Sequence, residues 1–143
     1  MGRLEATAQV DWKGFGGSVR GTSGALAAPT STQAELGGPG EGTNPEELLA
    51  AAHANCFTST LTALARRREL PLDRVETAVT VALVWEDGHG DHRLATSRIR
   101  VRIGSDAPWD AVEQLVRDTE EECPVCRAIA GNVAMDVELE PIP

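Results

Sequence analysis

The chain has no tyrosine, and its aromatic content is only 3% of 143 residues. A core built from it must rest on Val, Leu, Ala and Ile rather than on stacked rings. Uninterrupted apolar runs are also missing: none approaches the roughly 20 residues that span a bilayer. The opening residues, Met1-Gly2-Arg3-Leu4-Glu5, lead into an alternating pattern and not into the apolar stretch of a secretory leader, so the expected compartment is the cytoplasm. Basic residues are few, 13 Lys and Arg against 22 Asp and Glu, for a net charge of −9. Phosphate backbones and anionic lipid surfaces repel such a chain, and neither nucleic acid nor membrane is an expected partner. Cysteine is scarce as well. Three is an odd number, which argues against a secreted disulfide scaffold.

What is present is ordinary globular material, 41% hydrophobic and 24% charged. At this length a core needs no disulfide staples, and a single domain over residues 1–143 is expected. Leu4 to Trp12 alternates and reads as a first strand, followed by a glycine turn at Gly14, Gly16 and Gly17. Extended chain is expected around Val19 and from Ala25 to Ala28. Residues 29–42, rich in Pro, Gly, Ser and Thr, read as an irregular connection.

Thr43 or Asn44 then caps a long helix with Pro45 at its first position and Glu46 and Glu47 against its dipole, running to about Arg68. Leu49, His53, Cys56, Thr60 and Ala63 share one expected face, with Phe57, Leu61 and Leu64 widening the apolar stripe. Cys56 is thus expected to be buried or half-buried. Val75 to Trp85 and Leu94 to Ile103 alternate with period two and form a hairpin through a turn at Glu86 to Asp91. Asp106 is expected to cap a helix over 107–121, with Trp109, Val112, Leu115 and Val116 inward. Cys123 to Ala130 reads as a further helical turn or two, and Val133 to Leu139 as a last strand. The order of strands, long helix, hairpin, helix and strand is an α+β pattern with antiparallel pairing.

All three cysteines fall on expected helices or at their ends. A lone helical cysteine such as Cys56 is more often a small hydrophobe than a reactive group. Cys123-Pro124-Val125-Cys126 has the spacing of a redox pair, although no βαβ unit surrounds it. A cysteine that attacks a peroxide becomes a sulfenic acid, which a second nearby thiol captures as a disulfide. Either Cys123 or Cys126 could be that second thiol. His53, Cys56, Cys123 and Cys126 would also supply four ligands of the type zinc prefers. Both pairs lie on expected helices, whereas zinc pairs sit in tight knuckles, so neither a metal nor a cofactor is expected. His53 reads as a satisfied interior histidine. Arg98, Arg100 and Arg102 read as a solvated strand face that Asp136, Glu138 and Glu140 could pair. Asp87, His89, Asp91 and His92 read as a polar hairpin tip.

With these residues laid out, the chain resembles the OsmC/Ohr family of peroxide-reducing thiol proteins along nearly its whole length. The resemblance rests on Ser31-Thr32 and Glu35-Leu36-Gly37-Gly38, on Gly42-Thr43-Asn44-Pro45-Glu46-Glu47-Leu48 through Ala51-Ala52-His53 to Cys56-Phe57, and on Cys123-Pro124-Val125 before Arg127-Ala128. It implies an OsmC-like fold with antiparallel sheets and a long central helix, in an intertwined homodimer. It implies that Cys56 attacks hydroperoxides, preferably organic ones, that Cys123 resolves, and that a dithiol such as a dihydrolipoyl group restores both. Cys126 is an alternative resolving thiol. Glu46 matches an acidic residue that orients a catalytic arginine. Ten residues of helix span about 15 Å, so Glu46 would reach a thiolate on the other chain and not Cys56 of its own helix. The arginine has no direct counterpart: Arg20 is the nearest candidate and Lys13 the next. A redox-sensing or small-molecule-binding dimer of the same fold is the alternative reading.

Overall fold

The computed structural model describes residues 1–86 and 90–143. The expected turn residues Asp87 and His89 lie outside the described residues. The chain packs as two compact units, Met1–Leu48 and Leu49–Pro143.

The first unit is an antiparallel sheet in the order β1 (Ala8–Lys13), β2 (Gly16–Gly21), β3 (Ala27–Ser31). The first strand starts four residues later than the alternation from Leu4 suggests, its register beginning with Ala8 opposite Gly21. The stretch after β3 is not wholly irregular. It makes a 3-10 turn, Ala34–Leu36, and then returns to bridge Thr30 with Thr43. Thr43 N–H donates to Pro29 O at 2.8 Å, and Thr30 Oγ1 donates to Thr43 O at 3.0 Å. Gly42 makes that return feasible. Its φ is +90°, and a Cβ there would lie 2.5 Å from Pro29 O.

Asn44 then caps α1 (Pro45–Arg67) as expected: its Oδ1 accepts from Glu47 N–H at 2.8 Å, while the Glu47 carboxylate accepts from Thr43 Oγ1 at 2.7 Å. Arg66 and Arg67 lie in the last turn, against the negative end of the dipole. By length and composition α1 is the one helix among the described residues that could cross a membrane. Its interruptions, such as His53, Asn55, Thr58 and Ser59, are polar but uncharged. Its Phe57, Leu61 and Leu64 are buried in a protein core, so α1 is a core helix here. The buried face runs through His53, Phe57, Leu61, Leu64 and Ala65. The face expected from Leu49, Cys56 and Ala63 is rotated from it, so that Cys56 is half-buried and Ala63 exposed.

The second unit carries the sheet β4 (Arg74–Glu86), β5 (Gly90–Gly104), β6 (Ala134–Pro141). The expected hairpin is there, with β4 and β5 antiparallel. The last pairing corrects the expectation: β6 runs parallel to β5, with Ile99 opposite Val137. Two helices, α2 (Trp109–Glu122) and α3 (Pro124–Ile129), separate the strands and carry the chain back to the starting end of the sheet. Asp106 is not the cap of α2. Pro108 holds that position without a side-chain bond. Pro108 suits the helix start because a proline there forfeits no helical hydrogen bond. Core side chains come from α1, from β5 (Ile99, Val101, Ile103) and from α2 (Val112, Leu115, Val116). The arginine face of β5 is paired in part as expected: Arg100 meets Glu140 of β6 at 2.8 Å, whereas the close partner of Arg102 is Glu76 on β4, at 2.7 Å. Exposed pairs of this kind contribute up to about 1 kcal/mol each.

Candidate functional site

Two sequence-distant pieces of the second unit, α1 and the junction of α2 with α3, carry the thiols. Cys56 comes from the middle of α1, half-buried beside the core. Cys123 ends α2 and begins α3: its backbone is extended (φ −62°, ψ 116°), and its Sγ accepts from Cys126 N–H at 3.4 Å. Pro124 at the first turn of α3 has no N–H to satisfy, which favours a helix starting there. Cys126 lies one turn further along. Both Cys123 and Cys126 are buried, and all three cysteines are free thiols.

Cys56 packs against the core cluster that holds Cys123 and Cys126. Burial pushes its pKa up, and the Cys123 thiol adds to that; Val125 and Thr60 pull it down. The net direction is upward, so these neighbours alone leave Cys56 a thiol at neutral pH. Burial raises the Cys126 thiol further, again with Cys123 contributing.

His53, one turn before Cys56, is fully buried. Its Nδ1 is 2.7 Å from Ser97 Oγ on β5, and its Nε2 is 3.0 Å from Cys126 Sγ. Hydroxyl and thiol can each donate or accept, so either tautomer satisfies both contacts. Burial lowers its pKa, which keeps the ring neutral. The expectation of a satisfied interior histidine thus holds, and one of its partners is a cysteine. Ser97, Thr60 and the Val125 N–H were missing from the sequence-derived set. Thr60 carries a signal, four residues after Cys56 on one helix; Ser97 carries none.

Glu46 and Arg20 belong to the first unit. Glu46 lies in the first turn of α1, half-buried, and accepts a hydrogen bond from Gln33 Nε2. Arg20 is exposed on β2, in register with Gln9 and Ala27; Lys13 ends β1.

The site and the fold thus combine one half-buried and two buried free thiols with an α+β chain of two three-stranded sheets. Residues 38–138 match the family described as OsmC-like protein, and the chain belongs to this OsmC/Ohr family. The uncharacterized protein YmaD of Bacillus subtilis is 33% identical over 135 residues, covering 91% of this chain and 89% of that protein. Organic hydroperoxide resistance protein-like 2 of Staphylococcus epidermidis is 29% identical over 138 residues, covering 96% and 94%. Among solved structures, an organic hydroperoxide resistance protein OsmC of Legionella pneumophila, described as a predicted redox protein, superposes with a TM-score of 0.84. It is 30% identical, with 98% of this chain and 99% of that one covered.

Proposed function

We propose that this chain is a cysteine-based peroxidase that reduces organic hydroperoxides to alcohols. The observation that carries the reading is the packing of half-buried Cys56 against the core cluster that holds the buried Cys123 and Cys126 thiols. The Cys56 thiolate attacks the outer peroxide oxygen; the O–O bond breaks, and the alcohol leaves with a proton. Cys56 is then a sulfenic acid. The Cys123 thiol attacks its sulfur, a disulfide forms, and water departs with the hydroxyl. A dithiol of the dihydrolipoyl type returns both cysteines to thiols by exchange. Cys126, buried beside Cys123, is an alternative resolving thiol.

A thiol whose pKa is raised by its neighbours needs a cation to react at neutral pH. We assign that role to Arg20, oriented by Glu46, in a cytoplasmic homodimer whose site is completed by the second chain. Residues 1–143 act in this reading as one OsmC/Ohr-like domain. The relatives named for organic hydroperoxide resistance support it. Replacing Cys56 tests it directly: Cys56→Ser should consume no cumene hydroperoxide in the presence of dihydrolipoamide. Turnover at the wild-type rate in that variant would remove Cys56 from the reaction.

A further inference from the structure

The Cys56–Cys123 reaction leaves His53 without a task, yet its ring nitrogen clusters with the sulfurs of Cys123 and Cys126. His53, Cys123 and Cys126 each offer an atom within 4.8 Å of the others, and all three side chains are buried. We propose that the reduced protein binds a zinc-type divalent cation on His53, Cys123 and Cys126, leaving the fourth position open to exchange.

The donor set is the first argument. Imidazole and thiolate are the ligands of tetrahedral zinc, which sits about 2.0–2.3 Å from each and so spaces them about 3.5–3.8 Å apart. A cluster already inside 4.8 Å needs only small side-chain shifts to reach that spacing. Orientation is the second. Ser97 Oγ holds His53 Nδ1 at 2.7 Å, which aims Nε2 at Cys126 Sγ, 3.0 Å away. Holding the far nitrogen of a ligating imidazole is the usual means by which proteins fix such a ligand. Local backbone geometry is the third. Cys123-Pro124-Val125-Cys126 is no pair within one helix: Cys123 is extended at the junction, and Cys126 N–H donates to its sulfur at 3.4 Å.

Charge balance decides which thiols take part. Two thiolates, a neutral imidazole and a divalent cation sum to zero, which a buried site tolerates far better than separate charges. A third thiolate would leave a net negative charge, so half-buried Cys56 stays outside the ligand set and the fourth position is open to exchange. This inference does not depend on peroxide chemistry.

Cobalt(II) titration of the reduced, metal-free protein under anaerobic conditions tests it. The expected result is one cobalt per chain with a thiolate-to-cobalt charge-transfer band and tetrahedral visible bands, both bleached by one equivalent of zinc. Cys126→Ser should lose the tight site and weaken the charge-transfer band. Ser97→Ala should keep the stoichiometry and bind about 10–100-fold more weakly. Absence of a charge-transfer band in the wild-type protein would overturn the proposal. An undiminished band in Cys126→Ser, with circular dichroism showing a folded variant, would overturn it as well.

Discussion

The two units spend their apolar residues in opposite ways. In the second, side chains from α1, β5 and α2 are buried together with Cys123 and Cys126, and Cys56 sits at the margin of that core. In the first, Val19 is the one large apolar side chain buried among the described residues, while Val10, Trp12 and Phe15 are 55%, 48% and 64% exposed. A three-stranded sheet with so little buried on its face is marginal by itself. The difference teaches where stability and reactivity reside. The Leu49–Pro143 unit holds a core and both resolving candidates, whereas Met1–Leu48 offers an apolar face and the candidate arginine. An uncovered face of this kind suits the proposed homodimer.

The largest effect expected from this contrast is chemical and confined to the second unit. Cys123→Ser should stop catalytic turnover yet leave one equivalent of peroxide reduced per Cys56, measured as peroxide consumed with and without dithiol. Sustained turnover at the wild-type rate would move the resolving role to Cys126. Next comes packing. Phe57→Ala should lower stability by about 3–5 kcal/mol in urea denaturation, because a fully buried ring is lost from the core. A loss below about 1 kcal/mol would mean that the core is not where the burial pattern puts it.

Trp12→Ala separates the units most sharply. It should leave the circular dichroism spectrum nearly unchanged and weaken the homodimer at least about tenfold in sedimentation equilibrium, as the loss of an interfacial tryptophan does. Unaltered association would take the β1 face out of the dimer. The smallest expected effect is that of Arg20→Ala, an approximately tenfold slower reaction of Cys56 with peroxide at neutral pH, the cost of losing one neighbouring positive charge. If Lys13→Ala slows the reaction and Arg20→Ala does not, the cationic role passes to Lys13.

Much of this frame could be read from the sequence because its signals are local. Asn44, Pro45 and Glu47 sit within four residues of one another and define the start of α1. Val75 to Trp85 alternates over a full strand, so β4 and its hairpin partner were legible. Non-local features were not. The parallel β5–β6 register depends on how α2 and α3 return the chain, and no alternation in Val133 to Leu139 encodes a direction. The burial of α1 is centred on Phe57 rather than Cys56 because bulky side chains, not the cysteine, fill the space against β5. The His53 contacts span 44 residues to Ser97 and 73 to Cys126. Spacing in sequence showed two pairs of zinc-type ligands, and only folding shows that three of the four meet.

Disulfide mapping after peroxide titration tests the central claim most directly. Reduced protein is treated with one equivalent of cumene hydroperoxide, free thiols are alkylated, and the peptides are identified by mass spectrometry. The account predicts one disulfide per chain, joining Cys56 to Cys123, with Cys126 alkylated. Cys56 recovered as an alkylated thiol after the peroxide is consumed would contradict it.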